Sequence, residues 1–182
     1  GKRTMLVLLA RGFAGGLPNV MITDVATAWA TADGWDVAAI GVLGFWTLPY
    51  ALKFLWAPMV DAVPAPGLAR LGLRRSWLLV TQLGALAGLV ALCALGPGKR
   101  GAFTALVAIV AFLSATQDTV ADAFRTESLA DEELGAGAST FVTGYRIAFV
   151  ALGAGVLAAA DALGWRAAAL VASCAMLLGV LA

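Results

Sequence analysis

Histidine is absent from the sequence, and with it any histidine-based acid–base catalysis or histidine-ligated metal site. Cysteine occurs twice, Cys93 and Cys174, each inside an apolar run, which suggests neither a disulfide framework nor a metal-binding set. No cofactor or metal is called for, and no enzyme is expected. Charge is scarce at 13% of residues, against about 25% in a soluble domain. The net charge of +1 provides no basic surface, so nucleic acid is not an expected partner. A cleavable signal peptide is excluded as well, because the apolar run that follows Lys2-Arg3 continues past Arg11 without a cleavage signal. What is there is apolar: 62% of the 182 residues are hydrophobic, and the mean hydropathy is +0.92. Soluble domains hold roughly 45–50%. Such a chain makes sense only with a lipid bilayer as its solvent.

A membrane crossing takes about 20 largely apolar residues. On that measure the sequence predicts six transmembrane helices in one domain, 1–182, and an all-α membrane protein. The spans fall at about 5–30, 37–60, 77–95, 102–124, 136–160 and 167–182. Pro18, at the centre of the first, predicts a kink there. The second carries Pro49, Lys53 and Pro58. A Pro-rich loop from Asp61 to Ser76 holds Arg70, Arg74 and Arg75, and an acidic loop runs from Arg125 to Gly135. The last span is short, about 24 Å of helix, against a hydrocarbon core of roughly 30 Å. The chain therefore reads as a piece truncated within its last helix. Lys2, Arg3, Arg70, Arg74, Arg75 and Arg125 fall on one side, with Lys99, Arg100 and Arg166 on the other. Loops rich in Lys and Arg stay in the cytoplasm, so both ends are expected there. Gly12-x-x-x-Gly16 and Gly84-x-x-x-Gly88 have the spacing that lets membrane helices approach closely, and read as packing.

The stretch Ser114-Ala115-Thr116-Gln117-Asp118-Thr119-Val120-Ala121-Asp122-Ala123-Phe124-Arg125-Thr126-Glu127 is where chemistry is expected. Asp118 and Asp122 are four residues apart and share one helix face. Charges inside a span are costly and face a polar cavity or a partner. Counted from the span ends, Arg11, Lys53, Asp118 and Arg146 all lie roughly 9–15 Å from the cytoplasmic surface. This predicts a buried ion pair of Asp118 with Lys53 and Arg146, with Asp122 one turn nearer the surface. Arg11 either joins this network or snorkels to the interface. Asp122, Arg125 and Glu127 also admit the plain reading that they mark a helix end at the headgroups. Asp24 stands apart, near the outer end of the first span. Asp24, Gln117 and Tyr145 are candidates for lining a substrate cavity, and Gln82 and Gln117 serve equally well as helix glue.

Several of these stretches together resemble muropeptide permeases (AmpG-like), a branch of the major facilitator superfamily. They are Gly15-Gly16-Leu17-Pro18, Lys53-Phe54-Leu55-Trp56-Ala57-Pro58-Met59-Val60-Asp61, Arg74-Arg75-Ser76-Trp77, Ala115-Thr116-Gln117-Asp118 through Asp122-Ala123, and Gly144-Tyr145-Arg146. The Lys-Phe-Leu-Trp-x-Pro segment is the most specific of them. The resemblance implies one six-helix half of a twelve-span transporter in the cell inner membrane. It implies proton-driven import of a disaccharide-peptide cell-wall fragment into the cytoplasm. The partners are then a muropeptide-like solute, protons, the lipid bilayer and a C-terminal half beyond Ala182. Asp61 with Arg74 and Arg75 corresponds to the superfamily's gating loop between spans two and three. A relative that moves acetyl-CoA would keep much of this pattern, and a non-transporting membrane scaffold is the other alternative. An intramembrane aspartyl protease is disfavoured, because neither Tyr-Asp nor Gly-x-Gly-Asp precedes Asp24, Asp118 or Asp122.

Overall fold

In hydrocarbon an unpartnered backbone N–H or C=O costs several kcal/mol, so an apolar chain closes its hydrogen bonds within each helix. The computed structural model, which describes residues 2–177, is helical nearly throughout, with no strand among the described residues. Five segments are long and apolar enough to cross a membrane: Arg3–Ala32, Val37–Leu55, Leu73–Leu95, Arg100–Ser128 and Asp131–Leu163. The chain is an all-α, multi-pass membrane protein. The expected sixth span begins as a helix, Trp165–Cys174, and its last residues, 178–182, lie outside the described residues.

The first span comprises α1 (Lys2–Val20), a π turn (Met21–Val25) and α2 (Ala26–Ala32). α1 runs through Pro18, and the π turn follows three residues later. The second span is the most interrupted: α3 (Val37–Leu43), a 3₁₀ turn (Gly44–Trp46), α4 (Thr47–Leu52), a second 3₁₀ turn (Lys53–Leu55) and α5 (Ala57–Ala62). The cause is proline. Pro49 and Pro58 have no N–H for the carbonyls of Phe45 and Phe54, four residues earlier, and each of these carbonyls lies in one of the two tightened turns. Asp36 caps α3, accepting the Ala39 N–H at 2.8 Å, and that bond holds its carboxyl below the usual range.

The third and fourth spans are unbroken helices, α6 (Leu73–Leu95) and α7 (Arg100–Ser128). The expected limits, 77–95 and 102–124, are too short. Gly72, at φ +83°, starts α6 early enough to place Arg74 and Arg75 on the helix rather than in a loop. At the far end of α7, Arg125 and Glu127 are likewise helical, so the acidic loop 125–135 shrinks to a turn around Leu129. The fifth span is α8 (Leu134–Ala148), a π turn (Phe149–Ala154) and α9 (Gly155–Leu163), followed by α10 (Trp165–Cys174).

The small-residue spacing does serve close packing. A Cβ placed on Gly12 would lie 2.1 Å from the Phe141 carbonyl oxygen, and one on Gly144 would lie 2.1 Å from that of Leu9. Helices α1 and α8 thus meet backbone to backbone. Gly84 and Gly88 admit Leu113 and Val110 of α7 in the same way. The two ends of the bundle differ. At one end Trp29 stacks on Trp165 and meets the edge of Phe103, while the Trp35 indole N–H donates to the Pro97 carbonyl at 3.2 Å. This aromatic end is filled by Met21, Ile22, Leu89 and Leu92, all buried. At the other end, charged and polar residues gather.

Candidate functional site

Five residues of α7, Ser114, Gln117, Asp118, Asp122 and Arg125, follow one another at helical spacing and form a polar stripe down one face. Asp118 is aimed at the glycine face of α1, with its Oδ1 3.7 Å from where a Cβ on Gly15 would stand. Tyr50 of α4, Asn19 of α1 and Tyr145 of α8 close around it. Four helices therefore deliver polar groups to one place. The Ser114 Oγ, Gln117 Oε1 and Tyr50 Oη are buried, and none meets hydrogen-bond geometry with a described residue, although Tyr50 lies close to Ser114 and Asn19. A buried polar atom without a partner costs about 1–3 kcal/mol. Buried polar atoms left so are ordinarily met by water or another polar group.

Trp56 fixes the second span to another face of α7. Its indole N–H donates to Thr116 Oγ1 at 3.0 Å, and its ring packs on Phe112 at 4.8 Å. Thr116 in turn donates to the Phe112 carbonyl. The Lys-Phe-Leu-Trp segment thus ties the tightened turn of the second span to α7.

The expected ion pairs are redistributed. Lys53 pairs with Asp122 at 3.9 Å, not with Asp118, and Asp122 is also held by Arg125 at 3.0 Å. The 3₁₀ turn at Lys53 sets the lysine one turn along α7 from the expected register. Asp118 has no ion pair among the described residues, although Lys53 and Asp122 act on it electrostatically. Arg146 does not reach it either. Gly144 must face α1, and two residues further on is about 200° around the helix, so Arg146 points out of the bundle and is exposed. Arg11 neither joins the network nor forms an ion pair among the described residues. Its guanidinium lies over the Phe124 ring at 4.3 Å, with its Nε unpartnered.

At the charged end, Arg74 bridges Asp61 and Glu127, the latter at 2.6 Å. This joins α5, α6 and the end of α7. Arg75 is exposed and forms no ion pair among the described residues. Asp24 stands apart as expected, in the first π turn, its Oδ2 3.8 Å from where a Cβ on Gly153 would lie in the second. No group of three or more metal-ligating side chains occurs among the described residues.

Sequence reasoning missed Tyr50, Asn19 and Ser114 as members of the cluster, and Glu127 and Arg125 as partners of Arg74 and Asp122. Ser114 was findable, being one helical turn before Asp118 on the same face. Tyr50 and Asn19 belong to other helices, and nothing in their local sequence points at Asp118.

Comparison with known proteins finds relatives named as permeases and transporters. A family model described as acetyl-coenzyme A transporter 1 matches residues 27–98. The anhydromuropeptide permease of Escherichia coli K12 is 41% identical over 162 residues, 88% of this chain and 32% of that protein. An uncharacterized protein of Haemophilus influenzae is 37% identical over 179 residues, 98% of this chain and 41% of its own length. The putative transporter AmpG 4 of Rickettsia conorii is 33% identical over 159 residues, 84% of this chain and 37% of that protein. The chain thus spans between about a third and two-fifths of the length of these curated relatives.

Proposed function

Because the chain belongs to the anhydromuropeptide permease (AmpG-like) family, we propose that it is the N-terminal six-helix half of a major-facilitator permease importing anhydromuropeptides with protons. The observation that carries the coupling is Asp118. It lies within the fourth span without an ion pair among the described residues, near the buried Ser114 Oγ and Gln117 Oε1 of its own helix and the Tyr50 Oη of α4. A carboxylate so placed can exchange a proton with a cavity, whereas one locked between two cations, as Asp122 is, has no such freedom. Asp122, Lys53 and Arg125 lie between Asp118 and the charged end and line the water path by which that proton leaves. Asp61, Arg74, Glu127 and the neighbouring Arg75 clamp the charged end and act as its gate. The solute, the proton, the bilayer of the inner membrane and the remaining part of the permease are the partners.

The acetyl-CoA reading rests on the family model over residues 27–98. That match ends before Asp118, Tyr145 and Arg146, so it covers none of α7 or α8 and speaks less to the site. The test is uptake by the full-length permease in membrane vesicles. A labelled anhydromuropeptide should accumulate under an inward proton gradient and leak out when a protonophore collapses it. Gradient-driven uptake of acetyl-CoA in its place, or mere equilibration of the muropeptide, would overturn the proposal.

The orientation is part of the same reading, with the charged end in the cytoplasm. In a background with Cys93 and Cys174 replaced by serine, Lys99→Cys should react with an impermeant thiol reagent added outside intact cells, and Arg70→Cys should not. The reverse pattern would invert the topology.

A further inference from the structure

Arg146 is left without an employment by the site described above. It sits near the middle of the 33-residue fifth span, on the face opposite the α1 contact. A residue at that depth is about 15 Å from either boundary of the hydrocarbon core, too far for its stem to carry the charge out to an interface. An arginine does not shed its proton. Among the described residues no carboxylate pairs with it, so an anion or water must meet it from outside this bundle. Its surroundings have the form of a binding wall. Arg146 separates two shallow grooves, of ≈ 540 and ≈ 390 Å³, which run along the exposed face of α8 past Val142, Tyr145, Phe149 and Val150 on one side and Thr143 and Ile147 on the other. Beside it the Tyr145 and Phe149 rings stack at 5.3 Å, 24° apart, and present a rigid flat surface. Tyr145 also borders the Asp118 cluster, so this groove and the coupling site adjoin through one side chain.

We propose that Arg146 is the subsite for a carboxylate of the solute's peptide, taken up in the planar two-pronged geometry that guanidinium offers. The inference rests on the permease reading, in which the solute is a sugar bearing a short peptide. It assigns this end of the solute to α8, near mid-membrane, where transporter sites lie. The ring pair receives the apolar part next to that carboxylate. The rival occupant is an acidic side chain from the remainder of the permease, which would neutralise Arg146 permanently.

The experiment measures binding to the purified full-length permease, using an anhydromuropeptide with free peptide carboxyls and the same molecule with every carboxyl amidated. The unmodified protein should prefer the free acid by at least about tenfold, the order of one charge-assisted pair. Arg146→Gln should erase that preference by weakening the free acid alone, with the amidated form unchanged. Arg146→Lys should retain part of it, because lysine keeps the charge without the fork. Should Arg146→Gln not fold, the preference of Arg146→Lys decides: a preference equal to that of the unmodified protein overturns the proposal. So does an equal loss for both solutes, or an undiminished preference in Arg146→Gln. Failure of the unmodified permease to bind either solute would instead remove the permease reading itself.

Discussion

Gly144→Leu is expected to prevent assembly of the bundle, read as loss of monodisperse protein from detergent extracts. The reason is local and steric. The first carbon of any side chain at 144 would stand 2.1 Å from the Leu9 carbonyl oxygen and 3.0 Å from both the Leu9 carbonyl carbon and the Phe13 nitrogen. All three are backbone atoms of α1, so no rotamer change relieves the contact and the two helices must separate. Adding methylenes to a packed core costs about 1–3 kcal/mol when side chains can yield. Here they cannot, and the whole folding free energy of a domain is only about 5–15 kcal/mol. Gly144→Ala should already lower the melting temperature by several degrees. The control is Gly155→Ala, a helical glycine with nothing within 4 Å of its Cβ position, which should be neutral or slightly stabilising. Equal tolerance of alanine at 144 and 155 would show that α1 and α8 do not pack through this face.

That same glycine explains why the fold was more legible in the sequence than the site. Crossing segments need only hydropathy and length, both written locally, and five were found within a few residues of their ends. Gly12 and Gly16 announced a close approach but not the partner. The site depends on rotation about each helix axis, and rotation is fixed at a distance. Counting residues put Lys53, Asp118 and Arg146 in one layer, and pairing opposite charges at equal depth was then the natural step. It failed at Arg146 because Gly144 has to meet Leu9, which turns the arginine outward. It failed at Lys53 because Pro58 tightens the turn before it and advances the lysine to Asp122. Prolines at 49 and 58 were visible; the register shift they cause was not. The clamp of Asp61, Arg74 and Glu127 escaped for a similar reason. Glu127 was assigned to a loop, whereas α7 runs on to Ser128 and keeps it beside Arg74.

Asp118→Asn in the full-length permease is expected to abolish accumulation of the solute under a proton gradient while leaving solute exchange in place. The side chain keeps its size and polarity, so the cluster of Tyr50, Ser114 and Gln117 should survive; what is lost is the capacity to carry a proton. In a proton-driven carrier that capacity has to differ between the two faces of the cycle, since a ligand shifts only an equilibrium whose states it binds unequally. The geometry supplies such a difference. Among the described residues Asp118 has no cation of its own, and closing the cavity around a bare carboxylate in a water-poor span is costly unless a proton goes with it. Opening toward the charged end brings in water, which accepts that proton beside the Lys53–Asp122–Arg125 group. Asp122→Asn tests the contrast. It removes a carboxylate already balanced by two cations, so accumulation should fall only severalfold, and the thermal stability should fall with it as Lys53 and Arg125 lose their partner. Counterflow, in which preloaded unlabelled solute drives entry of labelled solute without a gradient, separates coupling from damage. Asp118→Asn should pass that assay and fail the gradient assay. If it accumulates solute like the unmodified protein, the proton is carried elsewhere; if it fails counterflow too, Asp118 holds the helices or the solute rather than the proton.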